Sequence, residues 1–284
     1  MADSGRIQSI KQRLQSLSKE KRIDFNYLLL VYMNEGFLRR LQNSKYNINF
    51  ILKGGFLLSS LIESFGRSTR DLDFSAIKTD NNLSNVKVIF KTVCSVEIDD
   101  CLTFQTNQLE SIEITEDNIY SGIRVTVPCF LGKSRHILQF DVGFGDRITP
   151  GEKEYKLTPL LSGIPISLFI YPIESIVAEK FEAMIALDEI NSRMKDFYDL
   201  YAIFKNCRID RSILFEAIRN TFKTRKTFCP PNPVALSDKY YENPDKSRMW
   251  LRFLERSAIK KDISFIEVYR LIRENLEPIY QEIK

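Results

Sequence analysis

The chain has 284 residues, 44% hydrophobic and 27% charged, and its 41 Lys and Arg against 37 Asp and Glu leave a formal charge of +4. Those fractions lie near the globular averages of roughly 45–50% and about 25%, so the chain can bury a core and is not a disordered polyanion or polycation. The longest apolar run, residues 27–33, is far short of the roughly 20 residues a spanning helix needs, and the single imidazole, His136, excludes multi-histidine metal sites.

The first six residues open no export signal. Five dilute cysteines, Cys94, Cys101, Cys129, Cys207 and Cys229, contain no CxxC pair and fit reduced thiols, so a soluble cytoplasmic protein with no membrane partner is expected. Chemistry must then rest on Asp, Glu, Lys, Arg, Ser or Tyr. Carboxylates without imidazole favour a hard, oxygen-seeking cation such as Mg²⁺ or Mn²⁺.

Ile7, Ile10, Leu14 and Leu17 recur at helical spacing, and Asp24 stands as an N-cap before the apolar stretch 25–41, so two helices open the chain. Residues 50–52 predict a short buried strand, 53–55 (Lys-Gly-Gly) a break, 56–64 a short helix, 65–70 a turn and 71–74 a second strand. The alternation of Ile123, Val125 and Val127, and of Leu138, Phe140 and Val142, predicts two more. Residues 151–165 read as irregular. From Pro172 the pattern is helical, over 172–187, 192–205, 210–223, 245–257 and 263–277, with 229–233 (Cys-Pro-Pro-Asn-Pro) as a loop. This is an α+β arrangement: a mixed sheet with flanking helices in a first domain, 1–168, and a helical second domain, 169–284.

Residues i and i+2 of a strand share a face, so Asp71 and Asp73 project together while Leu72 and Phe74 turn inward. Two carboxylates held that close repel unless a cation sits between them. On the later strand Asp141 faces outward by the same alternation, and a neighbouring strand could bring it to the first two. The glycines of Lys53-Gly54-Gly55 end a strand and open a helix, where backbone amides can approach phosphate oxygens; a plain tight turn is the competing reading. Arg67 and Arg70, flanking Ser68-Thr69, either add phosphate contacts or are solvated.

Counting 100° per residue from Ile173 puts Lys180 at roughly 340°, in the middle of an apolar arc formed with Ile176, Val177, Met184 and Leu187. A lysine there must snorkel, pair with a buried carboxylate, or point at a ligand phosphate. Ser192 is the expected N-cap of the next helix. Asp196 and Asp199 share one side of it, where an aspartate commonly serves only the helix dipole. Arg219, Lys223 and Lys226, and Arg248, Arg252 and Arg256, form two basic rows that suit either solvent or a nucleic-acid backbone.

With these residues in view, the sequence resembles the AbiEii/AbiGii family of bacterial toxins, nucleotidyltransferase-like proteins of abortive-infection and toxin–antitoxin loci related to the MenT toxins. The matching segments are 53–60 (KGGFLLSS), 67–74 (RSTRDLDF), 120–124 (YSGIR), 139–150 (QFDVGFGDRITP), 178–183 (AEKFEA) and 193–200 (RMKDFYDL), in family order. The resemblance implies a polymerase-β-like nucleotidyltransferase core. It implies Lys53, Gly54, Gly55 and Ser68 at the nucleotide, Asp71, Asp73 and Asp141 as metal ligands, Lys180 at the triphosphate, and Asp196 in catalysis beside Asp71 and Asp73. It also implies NMP transfer from an NTP with Mg²⁺ or Mn²⁺, a tRNA 3′ end as acceptor, a role in phage defence, and an antitoxin encoded nearby. The chain departs from many nucleotidyltransferases in carrying Phe56 where a Ser or Thr follows the glycine, which leaves Ser59 or Ser60 as alternative hydroxyls. A nucleotide-binding protein, a transferase acting on protein, and a non-enzymatic interaction module are the rival readings.

Overall fold

The computed structural model describes every residue except 1, 64, 117–119, 162, 258 and 260–262. The opening helices are α1 (Ala2–Lys21) and α2 (Phe25–Gln42), and the Asp24 carboxylate caps α2 by accepting the Tyr27 amide at 3.0 Å. β1 (Phe50–Lys53) runs directly into α3 (Gly54–Leu61), two residues earlier than the sequence pattern suggests; the expected end of that helix at residue 64 lies outside the described residues. β2 (Leu72–Ala76) follows.

Sequence reading passed over α4 (Leu83–Cys94), although Asn82 caps it and Val86, Ile89, Phe90 and Val93 are buried at helical spacing. β3 (Leu102–Phe104) and β4 (Glu110–Glu116) both pair with β5 (Tyr120–Leu131), which is joined to β6 (Ser134–Phe144) as a long antiparallel ribbon. The stretch expected to be irregular instead contains β7 (Lys153–Leu157), which pairs with β8 (Ile166–Ile170). In the Lys-Glu-Tyr-Lys-Leu segment only Tyr155 and Leu157 alternate with polar residues, a signal too short to mark a strand, and it lies at the sheet edge. Its conformation is imposed by β8, which itself lies parallel to β1.

The sheet has eight strands among the described residues, in the order β3-β5-β6-β2-β1-β8-β7 with β4 beside β5. It is mixed: β2 runs parallel to β6 and antiparallel to β1. One face is apolar, carrying Leu72, Phe74, Ile123, Val125, Val127, Leu138, Phe140 and Val142, and α2 and α4 pack on the sheet. Phe37 of α2 stacks on Phe140 with ring centroids 4.0 Å apart and also touches Phe74 and Phe90. The centre of this core lies beneath the strands that carry the aspartates.

The chain forms two compact units: residues 1–60, 69–145 and 153–170, and residues 61–68, 146–152 and 171–284. The second contains α5 (Ile173–Leu187), α6 (Met194–Asn206), α7 (Arg211–Arg225), α8 (Asp238–Glu242), α9 (Pro244–Arg256) and α10 (Phe265–Ile283). Its core is aromatic, with Tyr198, Tyr240, Trp250, Phe265 and Tyr269 buried together. The Trp250 indole donates to the Ile263 carbonyl at 2.7 Å.

Two details correct the sequence reading. Ser192 is not the cap of α6: the Arg193 amide bonds the Asn191 side chain, while the Asn191 carbonyl accepts from both Lys246 and Tyr240, so the helix begins only at Met194. Lys226 does not continue the row from Arg219 and Lys223, because it is the left-handed residue that ends α7, at φ 54°. No helix of the described residues is long and apolar enough to cross a membrane.

Because Phe37 supports both aspartate-bearing strands through Phe74 and Phe140, Phe37→Ala should cost about 3–5 kcal/mol of folding stability. Urea denaturation followed by circular dichroism measures it; a loss below about 1 kcal/mol would show that the cluster is not a keystone.

Candidate active site

Strand register builds the site. Across β1, β2, β6 and β5 the paired residues are Lys53 with Asp73, Asp73 with Asp141, and Asp141 with Arg124. Paired residues share a face, so the polar side of the sheet carries a cation, two anions and a cation in one row. Asp71 stands just before β2, which begins at Leu72 and not at residue 71 as the alternation suggests, and it accepts a hydrogen bond from the Thr69 hydroxyl at 3.2 Å. One oxygen from each of Asp71, Asp73 and Asp141 lies within 4.8 Å of the others, the one such acidic cluster among the described residues. Oxygens around one small hard cation, each about 2.0–2.1 Å from it, stand up to roughly 4.2 Å apart. The 4.8 Å bound is a little wider than that, so a small inward shift of these three part-exposed carboxylates would bring their oxygens around one such ion.

Gly54 is required where it stands. Its φ is +72°, and a Cβ there would fall 1.9 Å from Oδ2 of Asp73. The bare backbone lets β1 turn into α3 directly against the Asp73 carboxylate, and Gly55 follows in the first helical turn, whose amides have no intrahelical partner. The ammonium of Lys53 reaches toward Gly143 on β6, 3.7 Å from where a Cβ would sit. Phe56 is buried in the core. The Ser59 and Ser60 hydroxyls donate to helix carbonyls of Phe56 and Leu57, each at 2.7 Å.

Arg124 was given no role from sequence, although its place between inward-facing Ile123 and Val125 put it on the outward face. Its guanidinium forks onto Asp141, with Nε to Oδ1 and Nη2 to Oδ2 both at 2.8 Å. The hydrogen bond to Asp141 raises the arginine above its ordinary pKa, and the charges of Asp141, Asp71 and Asp73 add to the effect against the lowering by burial.

In the helical unit, Lys180 is paired with two carboxylates of α6. Its Nζ lies 2.6 Å from Asp196 and 2.8 Å from Asp199, both buried. Arg193 bonds the other oxygen of Asp196 at 2.6 Å, and Arg67 forks onto Asp199 at 3.0 and 3.1 Å. Arg67 is thus a largely buried ion-pair partner and not a solvated side chain, whereas Ser68 beside it is exposed. Burial alone would pull the Lys180 ammonium down, but the two carboxylates hold it up at about 12. Burial alone would raise Asp196, yet Lys180 and Arg193 keep it well below the usual carboxylate range. Elsewhere in this unit Arg219 pairs with Glu216 at 2.6 Å and Arg248 with Asp245, while Arg248, Arg252 and Arg256 are all exposed on α9.

The family described as Nucleotidyl transferase AbiEii toxin, Type IV TA system, matches residues 36–270. Two solved structures share the fold. MenT4, a nucleotidyltransferase toxin from Mycobacterium tuberculosis H37Rv, is 15% identical with a TM-score of 0.53, over 96% of this chain and 99% of its own. JHP933 from Helicobacter pylori is 15% identical with a TM-score of 0.50, over 92% of this chain and 94% of its own. No curated protein matches by sequence.

Gly54→Ala should lower stability by more than about 1 kcal/mol, since a positive φ and a collision with Asp73 act together; a denaturation midpoint equal to that of the parent would refute the close approach. Asp196→Asn should cost about 3–5 kcal/mol at neutral pH by leaving buried cations undercompensated. The depressed Asp196 carboxyl contributes stability above its unfolded value of about 3.9 and loses it as pH falls below that. Denaturation from pH 7 to pH 2 should accordingly show a shallower acid limb in the variant, and parallel limbs would contradict the assignment.

Proposed function

As the chain belongs to the AbiEii family of nucleotidyltransferase toxins of type IV toxin–antitoxin systems, we propose that it is a Mg²⁺- or Mn²⁺-dependent enzyme that transfers a nucleoside monophosphate from an NTP to the 3′ end of tRNA. The new bond joins the acceptor oxygen to the α-phosphorus, the α–β bridging bond breaks, and pyrophosphate leaves. The family carries the nucleotidyltransferase activity, the NTP as substrate class and a cognate antitoxin as partner. The cation, the acceptor and the individual residue roles are this proposal's own.

The observation that supports it is the convergence of Asp71, Asp73 and Asp141, one oxygen of each within 4.8 Å of the others. These three would hold the ion, which when bound supplies charge stabilisation to the attacking and leaving oxygens. Gly54 keeps the start of α3 clear so that backbone amides meet phosphate oxygens, with Gly55 in the same turn. Lys53 and Ser68 are assigned to the nucleotide. Lys180 neutralises triphosphate charge, and Asp196, which accepts a hydrogen bond from its ammonium, serves as the catalytic aspartate of the helical segment. We assign the carboxylate cluster to an N-terminal domain, 1–168, and acceptor binding to the helical remainder, 169–284. The exposed arginines of α9 suit a phosphate backbone there. A cytoplasmic site of action and a part in phage defence follow from an RNA target inside the cell.

Incubating the purified protein with each α-labelled NTP, Mg²⁺ and total tRNA should put label into RNA on a denaturing gel. Asp73→Ala should reduce transfer on the order of a thousandfold or more, the scale of several kcal/mol of lost transition-state stabilisation. Label in polypeptide in place of RNA would replace the acceptor. Undiminished transfer by Asp73→Ala would remove the carboxylate mechanism.

A further inference from the structure

The row across the sheet contains a cation at the place where an ion is to bind. Asp141 is one of the three carboxylates of the cluster, yet both of its oxygens already receive the Arg124 fork at 2.8 Å. The two residues are register partners on β5 and β6, so the pairing follows from the backbone and not from an accident of side-chain reach. The geometry is that of a bidentate arginine–carboxylate pair, the strongest form of such contacts. The Arg124 side chain is 36% exposed and that of Asp141 18%, so the pair sits at the solvent margin of the sheet where it can open. A guanidinium released from a carboxylate is a ready phosphate ligand of the same planar, forked geometry.

We propose that Arg124 is a built-in counter-cation of the acidic cluster: it withholds Asp141 from a divalent ion until a nucleotide's phosphates draw the guanidinium away. The inference rests on the metal-dependent reading above. Its consequence is linkage. Metal alone must compete with a fixed positive charge, whereas metal arriving with a triphosphate does not, so each ligand promotes the other through Arg124. Lys53, at the opposite end of the row, pairs in register with Asp73, and its ammonium is a point charge without the planar fork of a guanidinium. Arg124 is a positioning residue in this scheme, and its effect appears in binding before any chemistry occurs.

The test is Mn²⁺ binding, followed by the electron paramagnetic resonance of the free ion, with and without a non-hydrolysable NTP analogue, for the parent protein, Arg124→Gln, Arg124→Lys and Asp73→Ala. Removing a unit positive charge within a few ångströms of the cluster should tighten binding of Mn²⁺ alone at least tenfold in Arg124→Gln. The analogue should enhance Mn²⁺ binding less in that variant than in the parent. Arg124→Lys keeps the charge and should stay within about threefold of the parent, which preserves a test if the glutamine variant does not fold. Mn²⁺ affinity in Arg124→Gln equal to or weaker than the parent's would overturn the proposal, and so would a lysine variant that binds tenfold tighter. Mn²⁺ binding absent from parent and glutamine variant alike, or unaffected by Asp73→Ala, would instead defeat the metal reading itself and this inference with it.

Discussion

Two aspartates stand opposite one another on adjacent parallel strands, and like charges so placed push the strands apart. Much of the sheet unit can be understood as what makes that arrangement tolerable. Beneath it, Phe74 and Phe140 are chain neighbours of Asp73 and Asp141 on the opposite face and lock into one aromatic cluster with Phe37, Phe50 and Phe90. On its flanks, Lys53 and Arg124 extend the row at either end with positive charge. At its edge, Gly54 brings the backbone so near Asp73 that no side chain fits. Carboxylates crowded in this way cost stability, and such clusters occur more often at functional sites than elsewhere.

The helical unit solves a related problem with the opposite outcome. Arg67, Asp199, Lys180, Asp196 and Arg193 form a chain of alternating charge in which each anion contacts two cations. Arg225 makes a second such centre, contacting Asp146, Glu179 and Glu182 and held far above an ordinary arginine by them despite its burial. Buried ions are costly unless fully paired, so these clusters contribute less to net stability than to fixing which residues may lie next to which. Asp196 in particular is oriented from both sides, and its entry turn is pinned by the Lys246 amine, which donates to the carbonyls of Glu189 and Asn191 at 2.7 Å each. A side chain so constrained presents one geometry, the condition under which a carboxylate can act at a defined atom.

The extent to which this was legible differed by feature, and for physical reasons. Alternation exposed β5 and β6 because each has one apolar and one polar face, and from that same alternation came the outward direction of Asp73 and Asp141. Spacing could say that the two might meet, but only register shows them as partners. β7 carries only a short periodic signal, in Tyr155 and Leu157, and as an edge strand it takes its conformation from its neighbour. α4 did carry one, in Val86, Ile89, Phe90 and Val93, and was simply passed over. Helical spacing marked Lys180 as anomalous without choosing its partner, because the choice depends on α6, sixteen residues on. Arg124 was legible in direction and illegible in role: nothing in Ile123-Arg124-Val125 says that an aspartate seventeen residues later lies across from it.

One further feature bears on how the molecule can be watched. Trp250 is the sole tryptophan of the chain and lies buried in the aromatic core of the helical unit, its indole bonded to the Ile263 carbonyl. The sheet unit has tyrosine and phenylalanine but no indole. Emission excited at the red edge of protein absorbance therefore reports on the helices alone, while far-ultraviolet dichroism reports on both units. Where the two signals part company during unfolding or on addition of a ligand, the halves of the chain are moving independently; where they coincide, the chain behaves as one cooperative body. The sequence has placed a natural fluorophore so that this distinction needs no label.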